Sequence, residues 1–191
     1  MTTPSSDPLR PAAVLWDMDG TIVDTEPYWM RAETELVASF GGVWTAEDGM
    51  KLVGSGLPAA ASVLQRAGVE LSRGQIVEGL TDRVLEQIEV EVPWRPGARE
   101  LLAGLRRASV PTALVTMSLR RMALRVAAAI GDEVFDVVVA GDDVANAKPH
   151  PEPYLTAAAR LGVSIHDCVA IEDSEFGLVS AVAAGAATVG V

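Results

Sequence analysis

The run Ala12-Ala13-Val14-Leu15-Trp16, followed directly by Asp17-Met18-Asp19-Gly20-Thr21, decides how the chain is read. Five apolar residues in a row have the length and character of a strand buried on both faces. Two carboxylates two residues apart arrive where that strand should end, and Gly20-Thr21 signals a change of backbone direction. Acids at the C-terminal end of a parallel strand sit in the crevice where open α/β sheets bind ligands. Like charges this close require a cation, a shared proton or water. A solvated polar strand end is the bland alternative, and the rest of the chain decides between the two.

Three more apolar runs follow, each ending in polar groups. Thr112-Ala113-Leu114-Val115-Thr116 reads as a strand with Ser118 just beyond it. Residues 135–140 read as a strand leading into Gly141-Asp142-Asp143 and then Lys148-Pro149. Val169-Ala170-Ile171 reads as a strand ending in Glu172-Asp173-Ser174. Helical stretches at 98–108, 119–130, 152–161 and 176–184 alternate with these strands, and 187–191 begins another. The expectation is an α/β fold: a Rossmann-like parallel sheet with right-handed crossovers and helices on both faces.

The span from Pro27 to Val92 breaks this alternation. Tyr28, Ala32, Leu36 and Phe40 (or Val37) recur at helical spacing up to Gly41-Gly42. Pro58 to Ala67 is Ala-rich, and Ser72 is placed to cap a helix carrying Ile76, Leu80, Val84 and Ile88. No strand is needed here, so the span reads as an inserted α-helical domain. The expected division is a loose tail at 1–11, a discontinuous core at 12–24 and 95–191, and a helical insert at 25–94. The chain stops on a strand, an odd place for a natural domain to end, so further residues are expected beyond Val191.

The 191 residues carry 15 Lys plus Arg against 26 Asp plus Glu, a formal net charge of -11. That balance argues against nucleic acid or an anionic membrane as partner. An anionic substrate would need a metal or a well-placed Lys. Cys168 is the single cysteine, so an intrachain disulfide is excluded; it sits in an apolar run and reads as core. A reducing cytoplasm fits. No stretch resembles a signal peptide or a membrane span. The sequence does not state oligomeric order, and a monomer is in keeping with it.

The strand-end groups make coherent chemistry. Asp17, Asp19 and Asp173 form a hard-oxygen set suited to Mg²⁺. Lys148 offers a positive charge for a phosphate, and Thr116 and Ser118 offer hydroxyl donors. An Asp carboxylate can attack phosphorus, and phosphoryl transfer chiefly needs alignment and charge neutralisation.

Asp17-Met18-Asp19-Gly20-Thr21, Thr116, Lys148-Pro149 and Glu172-Asp173 resemble, in order, the four motifs of the haloacid dehalogenase superfamily. The resemblance runs from about Ala13 to the chain end. The helical insert is similar to that superfamily's cap of the first type. Asp24-Thr25-Glu26-Pro27 and Ile171-Glu172-Asp173-Ser174 resemble the branch holding β-phosphoglucomutase and small sugar-phosphate phosphatases. The resemblance implies Asp17 as nucleophile and Asp19 as general acid, then base. It implies Mg²⁺ held by Asp17, the main-chain carbonyl of Asp19 and Asp173, with Glu172 at or near the metal shell. Thr116 and Lys148 would bind the phosphoryl group. The cap's specificity loop would lie at Lys51 to Leu57, with Lys51, Gly54 and Ser55 as its candidates. Two departures stand out. Ala147 replaces a frequent Gly before the Lys, and Met117 stands where Asn or Ser is common.

The implied function is a Mg²⁺-dependent phosphatase acting on a small-molecule phosphate ester through an aspartyl-phosphate. The rivals are a sugar-phosphate mutase, a phospho-accepting receiver and a binding protein without turnover. A receiver needs no insert of this size. In the β-phosphoglucomutases an Arg follows the cap Gly; here Gly54 precedes Ser55-Gly56-Leu57, with no basic residue until Arg66. Their His ten residues beyond the second motif Asp corresponds to Trp29, though Lys51 keeps the mutase reading open. Several other groups have simpler readings. Asp142 and Asp143 suit turn chemistry, His150 and His166 read as surface groups, and Trp29, Trp44 and Trp94 read first as packing and second as pocket walls.

Overall fold

Strand β1 (Ala13–Trp16) is the centre of a five-stranded parallel sheet. A computed structural model describes residues 10–53, 56–131 and 134–191 of the chain. The other strands are β2 (Thr112–Val115), β3 (Val137–Val139), β4 (Cys168–Glu172) and β5 (Ala187–Gly190). Their spatial order is β3-β2-β1-β4-β5. The chain leaves β1 toward β2 and β3, then returns to β4 on the other side. The C-terminal end of β1 is therefore the point where the winding reverses, where such sheets open a crevice.

Side-chain alternation explains why β1 is apolar throughout. Val14 and Trp16 enter one buried cluster, and Ala13 and Leu15 enter another. Strands with helices on both faces have no polar side to show. On the Leu15 face lie α7 (Glu152–Leu161) and α8 (Glu175–Ala184), through Tyr154, Ala157, Ala181 and Ala184. On the Trp16 face lie α5 (Ala98–Arg107) and α6 (Arg120–Ile130), through Leu102, Met122 and Val126.

The remaining helices fall between β1 and α5: α1 (Glu26–Ser39), α2 (Ala46–Met50), α3 (Leu57–Arg66) and α4 (Arg73–Val90). No strand is assigned among the described residues of that span. The Ile76, Leu80, Val84, Ile88 stripe is buried, and Ser72 caps α4 in a reciprocal box with Gln75. The short helix α2 is not foreseen in the sequence. Thr45 caps it, with Asp48 returning the bond. This helical cap joins the sheet by two crossings that run side by side: Asp24 N donates to Pro93 O at 2.7 Å, and Arg95 N donates to Ile22 O at 2.9 Å.

Strand ends differ from the expected ones by one or two residues, and the α7 bounds agree. Of the expected tail, residues 1–9 lie outside the described residues. Among the described residues no helix is long and apolar enough to cross a membrane. Cys168 is buried, as expected of a core residue, and burial pushes its thiol up to about 11.

Candidate active site

The backbone after β1 turns within four residues. Met18 O accepts from Ile22 N at 2.8 Å and Val23 N at 3.1 Å, and Gly20 adopts φ +87°. This turn presents Asp17 and Asp19 at the sheet edge. Gly20 is required twice over. Its φ disfavours any L side chain, and a Cβ there would lie 2.0 Å from Asp173 Oδ2. Gly177 does the same for Glu172, whose carboxyl atoms would stand 2.0 Å from an added Cβ.

Lys148 arrives from the loop after β3. Glu152 shapes that loop by accepting from Ala145 N at 2.8 Å and Asn146 N at 3.0 Å. The three donors of the Lys148 ammonium go to Asp17 Oδ1 at 2.7 Å, Glu172 Oε1 at 2.6 Å and Val115 O at 2.8 Å. Tyr154 Oη also donates to Glu172 Oε1 at 2.6 Å, and Ser174 Oγ donates to Oε2 at 3.2 Å. This buried cation explains how two buried carboxylates coexist.

Burial pushes the Asp17 carboxyl up to about 8, with Lys148 pulling it down and Glu172 and Asp19 adding to the rise. Burial alone would lower the Lys148 ammonium, but Asp17, Tyr154 and Glu172 outweigh it and hold it well above its ordinary value. Lys148 therefore stays charged, and its ammonium opposes the effect of burial on Asp17.

Asp17, Glu172 and Asp173 bring one carboxylate oxygen each to within 4.8 Å of one another. Asp17 Oδ2 is buried and has no hydrogen-bond partner among the described residues. An all-oxygen donor set with an orphaned carboxylate oxygen and a side-chain-free cradle at Gly20 fits a hard divalent cation such as Mg²⁺.

The Asp19 carboxylate, which the residues alone group with Asp17 and Asp173 as a hard-oxygen donor, stands apart from them. It does not belong to that oxygen cluster; it is enclosed by four donors. Thr25 Oγ1 and Trp29 Nε1 approach Oδ1 at 2.5 and 3.3 Å, and Thr116 Oγ1 and Ser118 Oγ approach Oδ2 at 3.2 and 2.7 Å. Strand alternation would leave Asp17 and Asp19 on one side, but β1 ends at Trp16 and the tight turn that follows sends the two carboxylates to different partners.

Ser118 Oγ thus joins the site despite Met117. Met117 contributes Sδ, which lies 3.4 Å from Lys148 N. The remaining candidates separate. Asp142 and Asp143 stay out of the oxygen cluster; Asp142 Oδ1 accepts from Arg120 N at 2.8 Å, and Asp143 Oδ2 pairs with Arg120 Nη2 at 2.7 Å. His150 Nδ1 accepts from Glu152 N, and His166 Nδ1 meets Gly185 O. Lys51 is exposed and paired with Asp48 at 3.0 Å and Glu47 at 3.6 Å. Gly54 and Ser55 lie outside the described residues.

Thr25, Tyr154 and Ser174 were missed as site residues. Thr25 and Ser174 lie in phrases singled out in the sequence, but nothing local says where their hydroxyls point. Tyr154 reads as one apolar residue of α7, and only the sheet brings it to Glu172. Trp29 was read first as packing; it packs against the core and also donates to Asp19.

Residues 11–185 match the family model described as "Hydrolase: haloacid dehalogenase-like hydrolase". Hexitol phosphatase B of Escherichia coli K12 is 31% identical over 190 residues, covering 94% of this chain and 82% of that protein. The phosphorylated carbohydrates phosphatase of Thermotoga maritima is 34% identical over 179 residues, covering 91% and 81%. The crystal structure of a CbbY variant from Rhodobacter sphaeroides, in complex with xylulose-(1,5)bisphosphate, superposes with a TM-score of 0.86 at 30% identity, covering 93% and 84%. The chain belongs to the haloacid dehalogenase-like hydrolase family. It is an enzyme of the branch that holds the sugar-phosphate phosphatases.

Proposed function

We propose that the chain is a Mg²⁺-dependent phosphatase that hydrolyses a small phosphorylated metabolite, a sugar phosphate or similar, through an aspartyl-phosphate on Asp17. The observation that carries this reading is the pairing of two carboxylates with separate environments on one turn: Asp17 against Lys148, and Asp19 inside four donors. Relatives named as phosphatases for hexitols and phosphorylated carbohydrates support the substrate class.

Asp17, Glu172, Asp173 and the Asp19 carbonyl would hold the cation, which neutralises phosphate charge when bound. The chain's own groups do the rest. Lys148 holds Asp17 beside the phosphorus and screens its charge. Thr116 and Ser118 stand where a phosphoryl oxygen could compete with Asp19 for their hydroxyls. Asp17 attacks phosphorus and the ester bond breaks. Asp19 gives a proton to the departing oxygen, then takes one from water as that water cleaves the aspartyl-phosphate. Residues 25–94 act as the cap domain, pivoting on the Asp24–Pro93 and Ile22–Arg95 crossings to exclude bulk water.

Asp17→Asn tests the assignment. The folded variant should release no phosphate above background, and near-normal release would refute the nucleophile. A mutase is the second reading, since the resemblance includes β-phosphoglucomutase. Net phosphate release from a monophosphate, with no requirement for a bisphosphate, favours the phosphatase. Isomerisation of β-glucose 1-phosphate without phosphate release would overturn it.

A further inference from the structure

Glu33 is an acid with no role in the chemistry above, yet it is only 5% exposed. It lies on α1 one helical turn after Trp29. Residues four apart share a face, about 6 Å apart along the axis. Trp29 donates to Asp19, so that face of α1 looks toward the reacting groups. Glu33 therefore shares the face of α1 that carries Trp29, one turn further along the helix.

Its surroundings are specific. Trp44 Nε1 donates to Glu33 Oε2 at 3.2 Å. On the same side α2 packs closely, for a Cβ on Gly49 would lie 3.4 Å from Oε2 and 3.3 Å from Met30 Cε. Oε1 accepts from no donor among the described residues and is not sealed from solvent, so a ligand hydroxyl can reach it. Burying an acid merely to accept one indole N–H is unfavourable, because the desolvation cost exceeds the return of a single bond. Burial pushes this carboxyl up to about 7, with the Trp44 bond opposing and Glu26 adding to the rise. Near neutrality it can thus accept a hydrogen bond or donate one, as a hydroxyl group can.

Resting on the phosphatase reading above, we propose that Glu33, held by Trp44, hydrogen-bonds a hydroxyl of the leaving group and selects polyol or sugar monophosphates over esters carrying a second anionic group. A second phosphate or a carboxylate beside Glu33 would meet a like charge in a poorly solvated place. A neutral hydroxyl would supply the partner that Oε1 lacks. Glu33 is then a specificity residue of the cap and takes no part in bond breaking.

The test compares D-glucitol 6-phosphate, 2-phosphoglycolate and p-nitrophenyl phosphate. Wild type should prefer the glucitol ester to phosphoglycolate. Glu33→Ala should lower kcat/KM for the glucitol ester about 10- to 100-fold, the range for a hydrogen bond to a charged group. The same variant should stay within about threefold on p-nitrophenyl phosphate, which offers no hydroxyl. Glu33→Gln keeps an acceptor for Trp44 and removes the charge, so it should raise the phosphoglycolate-to-glucitol ratio even if the Ala variant fails to fold. Equal losses on all three esters, or an unchanged ratio in Glu33→Gln, would reduce Glu33 to a packing residue and overturn the proposal. Wild-type preference for phosphoglycolate would overturn it while leaving the phosphatase standing. Release from none of the three, with Mg²⁺ present, would instead count against the phosphatase itself.

Discussion

Trp29 Nε1 stands 3.3 Å from Asp19 Oδ1, so a helix of the cap hydrogen-bonds the candidate acid of the core. Thr25 Oγ1, at the start of the same helix, reaches the same oxygen at 2.5 Å. The cap and the proposed proton-transfer group are thereby coupled. If Asp19 donates the proton to the leaving oxygen, its orientation should depend on whether α1 is docked.

Trp29→Phe removes one of four donors and keeps the ring. With three left, kcat on an alkyl phosphate should fall roughly 3- to 10-fold, toward the low end for a bond to a charged group. An activated aryl phosphate, which needs little protonation, should be much less affected. Asp19→Ala should show the same contrast more strongly. Kinetics on paired alkyl and aryl esters checks both; equal losses on the two would remove Asp19 from proton transfer.

Chelation should abolish phosphate release, and added Mg²⁺ should restore it. Asp173 sits at the mouth of the oxygen cluster, within 4.8 Å of Asp17 and Glu172 oxygens. Asp173→Ala should therefore raise the Mg²⁺ concentration for half-maximal activity by about 10-fold or more, as loss of one carboxylate ligand weakens a hard-ion site. Full activity after exhaustive chelation would contradict the proposed mechanism.

Gly177→Ala should cost stability although it lies outside the chemistry. The added methyl would meet the fully buried Glu172 carboxyl at 2.0 Å. Overpacking of this kind costs about 1–3 kcal/mol. A drop in melting temperature together with weakened activity is expected. Gly74→Ala, on α4 with nothing within 4 Å, serves as the control and should show no loss.

Glu33 should make stability fall with rising pH. Its folded value is raised from 4.5 to about 7, so the protonated form favours the native state. That contribution is fully present below about 4.5 and is lost as pH rises through about 7. The shift corresponds to at most about 3 kcal/mol, less after solvent screening. Glu33→Gln should melt above wild type at pH 8, and the difference should vanish near pH 4. A difference independent of pH would contradict a raised Glu33.

The sequence alone determined the alternating frame, because a strand buried on both faces must be largely apolar, and the runs Ala13–Trp16, Ala113-Leu114-Val115 and Val169-Ala170-Ile171 show that directly. It also determined which groups stand at the strand ends, since Asp17, Thr116 and Glu172-Asp173 follow at once on apolar runs. The insert was legible for the same reason: helical spacing from Tyr28 to Ile88 excludes strands. Tertiary structure alone decided the partners. Lys148 reaches Asp17 across 131 positions of sequence, and Thr116 reaches Asp19 across 97. Periodicity reports which face a residue occupies but not what lies opposite that face. On the residues alone the Asp19 carboxylate counts as one more hard-oxygen donor, and only the resemblance sets it apart as an acid; the turn at Gly20 gives that carboxylate four hydrogen-bond donors. Nothing in the sequence singles out Glu33; only the packing of Trp44 and α2 against it makes it a buried acid.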